Sequence, residues 1–104
     1  DVVLTVKDPA KEPEKSVKVQ SGGSLTLFLP DFPGTVWGIE GADKTLGKVK
    51  EEVIPGFAPH TNGHQFKWEG LKGGLKHKLQ LSNRKVGEKG GKPNSTFMLT
   101  VETT

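Results

Sequence analysis

The residues best suited to chemistry are three histidines, whose imidazole rings could bind a transition metal. His60 and His64 lie four residues apart around a Gly-containing loop, and His77 lies on the apolar face of an alternating strand. Imidazole binds copper, nickel and zinc. However, no carboxylate or thiol accompanies these histidines at a recognisable metal-ligand spacing. We therefore expect no metal and no other cofactor, and we expect His77 to be a structural, hydrogen-bonded side chain near a sheet end.

The serines and carboxylates do not have the spacing of catalytic residues. No G-x-S-x-G nucleophile elbow occurs, and the absence of Cys excludes thiol catalysis, zinc–thiolate sites and disulfides. Glycoside hydrolysis needs two acids that face each other across a cleft. The acidic residues fall in predicted loops and turns, at Asp8, Glu12, Glu14, Asp43, Glu51, Glu52 and Glu88. The sequence therefore predicts a protein that is not an enzyme.

The basic residues do not have the pattern of a nucleic-acid site. The net charge is +3, but Arg84 is the single Arg among 15 basic residues, and Arg is the usual donor of bidentate base and phosphate contacts. Residues 85–92 lack the spacing of a phosphate-binding loop. No apolar run reaches transmembrane length. We expect neither nucleic-acid binding nor membrane insertion, whereas the charge would favour an acidic partner surface.

The histidines and charged residues must be positioned by short β-strands, in which successive side chains alternate between two faces. The clearest is 75–81, where apolar residues and His77 alternate with Lys76, Lys78 and Gln80. The segment 48–54 also fits a single helical turn, but we predict a strand. The predicted strands cover about 2–6, 17–19, 25–29, 35–40, 48–54, 64–68, 75–81 and 97–101. This regular spacing predicts one domain over residues 1–104, an all-β, immunoglobulin-like antiparallel β-sandwich of about seven to eight strands.

The inner faces of these strands predict both a core and a binding end. Trp37 lies near the middle of its strand, as the core Trp of strand C does in immunoglobulin-like sandwiches. In that topology three connections cluster at one end, and here they are the most elaborate loops, 30–35, 55–63 and 83–94. We therefore predict a binding surface at the loop tip. The predicted core residues are Leu25, Leu27, Leu29, Trp37, Ile39, Phe66, Trp68, Leu75, Leu79, Leu81, Phe97, Leu99 and Val101.

The loop motifs resemble those of the chagasin-type inhibitors of papain-like cysteine proteases, which are immunoglobulin-like β-proteins. The first loop of that family reads Asn-Pro-Thr-Thr-Gly-aromatic-x-Trp, and Gly34 and Trp37 keep its Gly-x-x-Trp spacing. The second loop leads into a strand that begins near His-x-Phe, which matches residues 62–66. The third opens with Arg-Pro-Trp, of which residues 84–86 keep the Arg. The resemblance covers about residues 16–103.

The resemblance implies a function and a set of contact residues. In the family, three loops form a wedge that fills the protease cleft without being cut. The implied function here is reversible inhibition of papain-family proteases by occlusion, with Phe32 as a contact residue. Pro33 and Gly34 would shape the first loop, Gly63 would allow close backbone approach, and Arg84 would brace the third loop. The implied partner-binding residues are Asp31, Phe32, Pro33, Gly34, Thr35, His60, Thr61, Asn62, Gly63, Arg84, Lys85 and Val86.

Two other functions stay open at the level of the sequence. One is an immunoglobulin-like adhesion or structural module of a larger exported protein, since the start at Asp1 and the polar end at Thr104 suit excision from a longer chain. The other is a periplasmic metal-binding protein that uses the histidines. We expect an exported protein, in the periplasm, secreted or on the cell surface, with its signal peptide removed. We also expect a monomer.

Overall fold

Period-2 alternation gives eight β-strands in the described part of the chain. A computed structural model describes residues 2–9, 11–31, 34–41, 48–58, 61–87, 93 and 95–104. The strands are β1 (Val2–Thr5), β2 (Glu14–Val19), β3 (Leu25–Asp31), β4 (Thr35–Gly41), β5 (Val49–Ala58), β6 (Thr61–Trp68), β7 (Lys76–Lys85) and β8 (Ser95–Thr103). The segment 48–54 is thus largely a strand, as predicted. None of these residues forms a helix that is long and apolar enough to cross a membrane.

The strands form two four-stranded sheets that pack as a sandwich. One sheet has the order β1-β3-β6-β5 and the other has the order β2-β8-β7-β4. Apart from the edge strands β1 and β2, this is the division of an immunoglobulin fold, with β3 to β8 in the places of strands B to G. The predicted fold class is confirmed, and Trp37 lies on β4, in the place of strand C.

The N-terminal part of the chain contributes one edge strand to each sheet. β1 pairs in parallel with β3, so that Val2 lies beside Leu25, and β2 pairs in parallel with β8. The chain leaves β1 after Thr5 and enters β2 at Glu14, so it passes from the edge of one sheet to the edge of the other. The other four pairings of described strands are antiparallel. The sandwich is therefore antiparallel except at its two N-terminal edge strands, β1 and β2.

The core lies between the inner faces of the two sheets. Removing a large apolar side chain from water contributes about 1.5–3 kcal/mol, so this layer is the main source of stability. The prediction of Leu75 in the core was wrong, because β7 begins at Lys76 and Leu75 is 36% exposed. Ile39 is partly buried against the core. The buried apolar residues are Val6, Val19, Leu25, Leu27, Leu29, Trp37, Phe66, Trp68, Leu71, Leu79, Leu81, Phe97, Leu99 and Val101.

The strands extend further than predicted, at the expense of the loops. β3 includes Asp31, β7 runs to Lys85, and β5 and β6 pair to within two residues of each other. The predicted loop 55–63 is therefore mostly hairpin. β5 passes through a Pro-Gly pair because it is an edge strand, where a missing N–H and a bulge are tolerated. The register shifts between Ile54 and Ala58, and Gly56 has a φ of 75°.

Candidate functional site

Three strand connections meet at one end of the sandwich, which we call the tip and define by residues 31, 34–35, 62–63 and 84–87. In the register of β3 and β6, Asp31 lies opposite Asn62. The carbonyl oxygen of Gly34 accepts a hydrogen bond of 3.0 Å from the N–H of Val86. The β3–β4 connection is therefore joined to β6 on one side and to the β7–β8 connection on the other. The described ends of the three connections therefore lie together, as the sequence predicted.

The structure brings together the predicted partner-binding residues that it describes. Thr35 pairs with Lys85 across β4 and β7, and Thr61 pairs with Ala58 in the β5–β6 hairpin. Their proposed contact with a partner stays a prediction. The described members are Asp31, Gly34, Thr35, Thr61, Asn62, Gly63, Arg84, Lys85 and Val86, whereas Phe32, Pro33 and His60 lie outside the described residues.

The described members differ in what they present to solvent. Val86 is 70% exposed, which makes it the most exposed large apolar residue among those described. Gly34 is exposed, has a φ of 77°, and has open space where a Cβ would lie. Gly63, in contrast, is buried between its cross-strand neighbours Pro30 and Ile54. Close backbone approach of a partner is therefore possible at Gly34, and not at Gly63 as the sequence suggested.

Asp31 turns its carboxylate into the protein and braces the first loop. Its side chain is 10% exposed. Oδ1 accepts a hydrogen bond of 3.1 Å from the backbone N–H of Trp37. The indole Nε1–H of Trp37 in turn donates to the carbonyl of Pro30 at 2.6 Å. These bonds connect β3 with β4 across the two sheets, so Asp31 fixes the base of the loop and its carboxylate is not free to contact a partner.

The second carboxylate oxygen of Asp31 belongs to a cluster of three ionisable side chains, Asp31, His64 and Glu51, which we call the ionic cluster. Nδ1 of His64 lies 2.9 Å from Oδ2 of Asp31, and Nε2 lies 3.0 Å from Oε1 of Glu51. The His64 side chain is 8% exposed, whereas that of Glu51 is 49% exposed. The sequence pattern offers His64 as a candidate metal ligand and indicates no role for Glu51, whereas the fold brings the two side chains together. The cluster joins β3, β5 and β6 directly beneath the tip.

The cluster continues the apolar rows of the core with polar residues. Along β3 the inner-facing row of three leucines ends in Asp31, and along β6 the row of Trp68 and Phe66 ends in His64. The His64 ring stacks on Phe66 with centroids 4.4 Å apart and an interplanar angle of 11°. Period-2 parity alone places Asp31 and His64 on these inner rows. The sequence predicts Asp31 in a loop, whereas it is the last residue of β3 and keeps the parity of that strand.

An ion pair and a shallow depression flank the tip on the outer face of β4 and β7. Nε of Arg84 donates to Oε1 of Glu40 at 2.8 Å, which joins β7 to β4. The predicted role of Arg84 in bracing the third loop stays a prediction. The depression has a volume of about 270 Å³, and its lining includes Val36, Ser82 and Arg84. Val36 is 39% exposed.

The described histidines are occupied by protein contacts. Within the described ranges, no three His, Asp or Glu side chains converge as metal ligands would. The two carboxylates of the ionic cluster lie at different nitrogens of His64, so they do not share a point with a ring nitrogen. His77 is 2% exposed and lies opposite Val101 on β7.

Comparison with known proteins gives matches at the level of structure. No protein-family model matches the sequence, and no curated protein matches it significantly. The cysteine protease inhibitor EhICP2 from Entamoeba histolytica superposes with a TM-score of 0.75 at 17% identity, over 99% of this chain and 96% of that one. Amebosin superposes with a TM-score of 0.69 at 17% identity, over 97% of both chains.

PbICP-C, which was solved in complex with falcipain-2, superposes with a TM-score of 0.54 at 15% identity, over 96% of this chain and 91% of that one. Coverage is near complete in each case, so the likeness extends to the whole sandwich and not to one sheet. At identities of 15–17% the likeness shows a shared fold. The fold that the loop motifs implied is therefore confirmed.

Proposed function

We propose that this protein is a reversible inhibitor of papain-family cysteine proteases and that its tip occludes the active-site cleft. The observation that carries the proposal is that strand pairing and a backbone hydrogen bond connect the segments of the tip. Three connections from two sheets are tied to one another at the end of a fold that is shared, over almost its whole length, with a cysteine protease inhibitor. The protein acts by binding, and its partner is a papain-like cysteine protease.

The bonds beneath the tip favour binding because they order it in advance. A preorganised loop loses less conformational entropy when it meets its partner. The first loop is held by the Asp31 carboxylate and by the Trp37 indole, and the third loop is held through the bond from Val86 to Gly34. Cleavage of this segment by a bound protease would require local unfolding of the tip. An ordered tip therefore suits an inhibitor better than a substrate.

The outermost surface of the tip combines a bare backbone with an apolar side chain. Gly34 has no side chain to hold a cleft wall away, and its positive φ is one that glycine adopts without strain. Val86 is exposed beside it. In the family that the sequence resembles, a Trp stands at the position of Val86. Because a valine buries less area than a tryptophan, we expect weaker inhibition than an aromatic anchor would give.

The test is titration of the purified protein into papain while hydrolysis of a fluorogenic peptide is followed. We expect reversible inhibition, with the chain recovered intact by mass spectrometry after prolonged incubation. A cathepsin L-type enzyme is tested in parallel, because the proposal names the family of the target protease and not one particular member of it. Absence of inhibition of both enzymes at micromolar concentrations would contradict the proposal.

Two valine variants locate the contact surface. Val86→Asp places a charge on the apolar tip and should raise the inhibition constant at least tenfold, which corresponds to about 1.4 kcal/mol or more for a central contact. Val3→Asp is the matched control, because Val3 is 64% exposed on β1, beside Thr26 and towards the opposite end of the sandwich. Equal effects of the two substitutions would place the contact surface elsewhere. Circular dichroism checks that both variants are folded.

A further inference from the structure

The layer of the sandwich next to the tip is ionic, and its histidine has acidic neighbours at both ring nitrogens. We propose that His64 is a positioning residue of the tip that acts as an imidazolium clamp between Asp31 and Glu51, so that loss of its proton loosens the tip and weakens binding. The effect on binding rests on the proposed inhibitory function. The clamp itself is a property of the isolated protein and can be tested without a protease.

The proton count follows from the donors and acceptors in the cluster. An ionised carboxylate only accepts hydrogen bonds, and a neutral imidazole has one donor and one acceptor nitrogen. Nδ1 lies 2.9 Å from Oδ2 of Asp31 and Nε2 lies 3.0 Å from Oε1 of Glu51. Both contacts are hydrogen bonds only when both nitrogens carry a proton. A neutral His64 would leave one nitrogen lone pair facing a carboxylate oxygen.

The clamp reaches the tip through Asp31. This residue is the last of β3, and its other carboxylate oxygen holds the N–H of Trp37 on β4. Its cross-strand partner Asn62 belongs to the tip. A shift of the Asp31 carboxylate therefore moves together the strand ends that border the first and second loops. Glu51 fixes the other side of the ring from β5.

The described elements packed around His64 present few ionisable groups to it. β3 contributes Asp31 and β5 contributes Glu51, and these are the ionisable side chains in contact with the ring among the residues described. On its own strand, β6, the ring stacks on Phe66. Trp37, which the facing sheet contributes to the network, does not titrate. A change in the protonation state of His64 therefore acts on its contacts with the carboxylates of Asp31 and Glu51.

The direction of the pH effect follows from the charges of the three groups. The clamp needs ionised carboxylates and a protonated imidazole. Free carboxyl groups of Asp and Glu ionise near pH 4, and free histidine loses its proton near about pH 6.5. The clamp is complete while both carboxylates are ionised and the imidazole is protonated, and it is lost when the imidazole loses its proton or when the carboxylates gain one.

The first experiment measures the clamp in the isolated protein. Glu51→Gln removes one acidic contact at a half-exposed position, and its amide can pair with a neutral imidazole. Glu52→Gln is the matched control, because it makes the same charge change on the neighbouring residue of β5, opposite Gln65. At pH 5.5 we expect Glu51→Gln to be less thermostable than the control, and at pH 8 we expect the difference to disappear. Identical pH profiles for the two variants would overturn the clamp.

The second experiment measures how the clamp affects binding, with papain as the probe. The inhibition constant of each variant is divided by that of the wild type at each pH, so that ionisations of the enzyme cancel. For Glu51→Gln this ratio should be about threefold to tenfold at pH 5.5, as for a partly exposed charge-assisted hydrogen bond, and should approach one at pH 8. For Glu52→Gln it should stay flat.

The two experiments separate the clamp from the inhibitory function. A difference in thermostability with a flat ratio of inhibition constants would overturn the proposal, because His64 would then brace the fold without positioning the tip. If the wild type inhibits no papain-like protease, the proposed function fails, and the thermostability profiles still decide the clamp. The variant Glu51→Asp keeps a carboxylate next to His64. It should therefore retain part of the pH dependence that Glu51→Gln loses.

Discussion

The two ends of the sandwich are closed by different kinds of interaction. At the end opposite the tip, which we call the base and define by residues 19–23, 69–75 and 103–104, most of the bonds given by the structure join backbone to backbone, and the Thr103 hydroxyl adds bonds to the backbone of Leu75. The N–H of Gly22 donates to the carbonyl of Leu71 at 2.7 Å, and the N–H of Leu71 donates to that of Gly23 at 3.1 Å. The tip has the backbone bond from Val86 to Gly34, but it is held from beneath by the ionisable side chains of Asp31 and His64.

This difference separates stability from binding within one small domain. The base is closed by the buried Leu71 and by main-chain bonds that carry no titratable group. The tip exposes Val86 and rests on an ionic layer whose charge depends on pH. We therefore expect substitutions at the base to change the free energy of unfolding and leave the inhibition constant alone. Substitutions at the surface of the tip should do the reverse, as Val86→Asp is expected to do.

The largest effect on stability is expected at Leu71. Leu71→Ala should lower the free energy of unfolding by about 3 kcal/mol, because it leaves a cavity under a closed backbone. Leu75→Ala is the matched control on the same connection. Leu75 is 36% exposed and Leu71 is 2% exposed, so the control should cost less than about 1 kcal/mol. Urea denaturation measures the free energy of unfolding of both variants. Equal decreases would show that Leu71 contributes no more to the core than Leu75 does.

A smaller effect is expected where two segments cross at Gly73. A Cβ there would lie 2.6 Å from the backbone oxygen of Thr104 and 2.8 Å from the Cβ of Ser21. Gly73→Ala should therefore lower the free energy of unfolding by about 1–3 kcal/mol through overpacking. Gly38→Ala on β4 meets no atom within 4 Å and should change it by less than about 0.5 kcal/mol. If Gly73→Ala left the free energy of unfolding unchanged, the base would accommodate a methyl group that its close packing is expected to exclude.

The smallest effect is expected at Glu69, on the surface of the base. A hydrogen bond from Lys50 and the charges of Lys50 and Lys67 hold the pKa of Glu69 below its ordinary value. A lowered pKa gives stability that is present above the usual carboxyl range and is lost as the pH falls through the folded-state pKa. Glu69→Gln should therefore lower the melting temperature slightly at pH 7 and not in strong acid.

This surface contact at the base and the ionic cluster under the tip should differ in their sensitivity to salt. Salt should weaken the contribution of Glu69, because its contacts with Lys50 and Lys67 are exposed and are screened. The contribution of His64 should resist salt more strongly, because its ring is buried. A salt-independent effect of Glu69→Gln would contradict the assignment of this contact to the surface.

Much of the molecule follows from the sequence through local geometry. Successive side chains of a strand point to opposite faces, so Leu25, Leu27 and Leu29 form an inner row whatever their neighbours are. The same parity identifies the core Trp37 and the all-β class, and the Pro and Gly positions indicate where strands are interrupted. The order of the long connections then predicts that three loops share one end.

The remainder depends on which strands pair and in what register, and local sequence does not contain that information. Asp31 and His64 are 33 residues apart, and they meet because β3 lies beside β6 in the sheet. Gly63 is buried because strands flank it on both sides, and Leu71 replaces Leu75 in the core because the connection turns back at Gly73 and Gly74. Local sequence patterns specify the strands, their inner faces and the end at which the loops meet. Pairing between distant strands specifies which polar residues brace the tip, since those contacts join segments that only the folded sheets bring together.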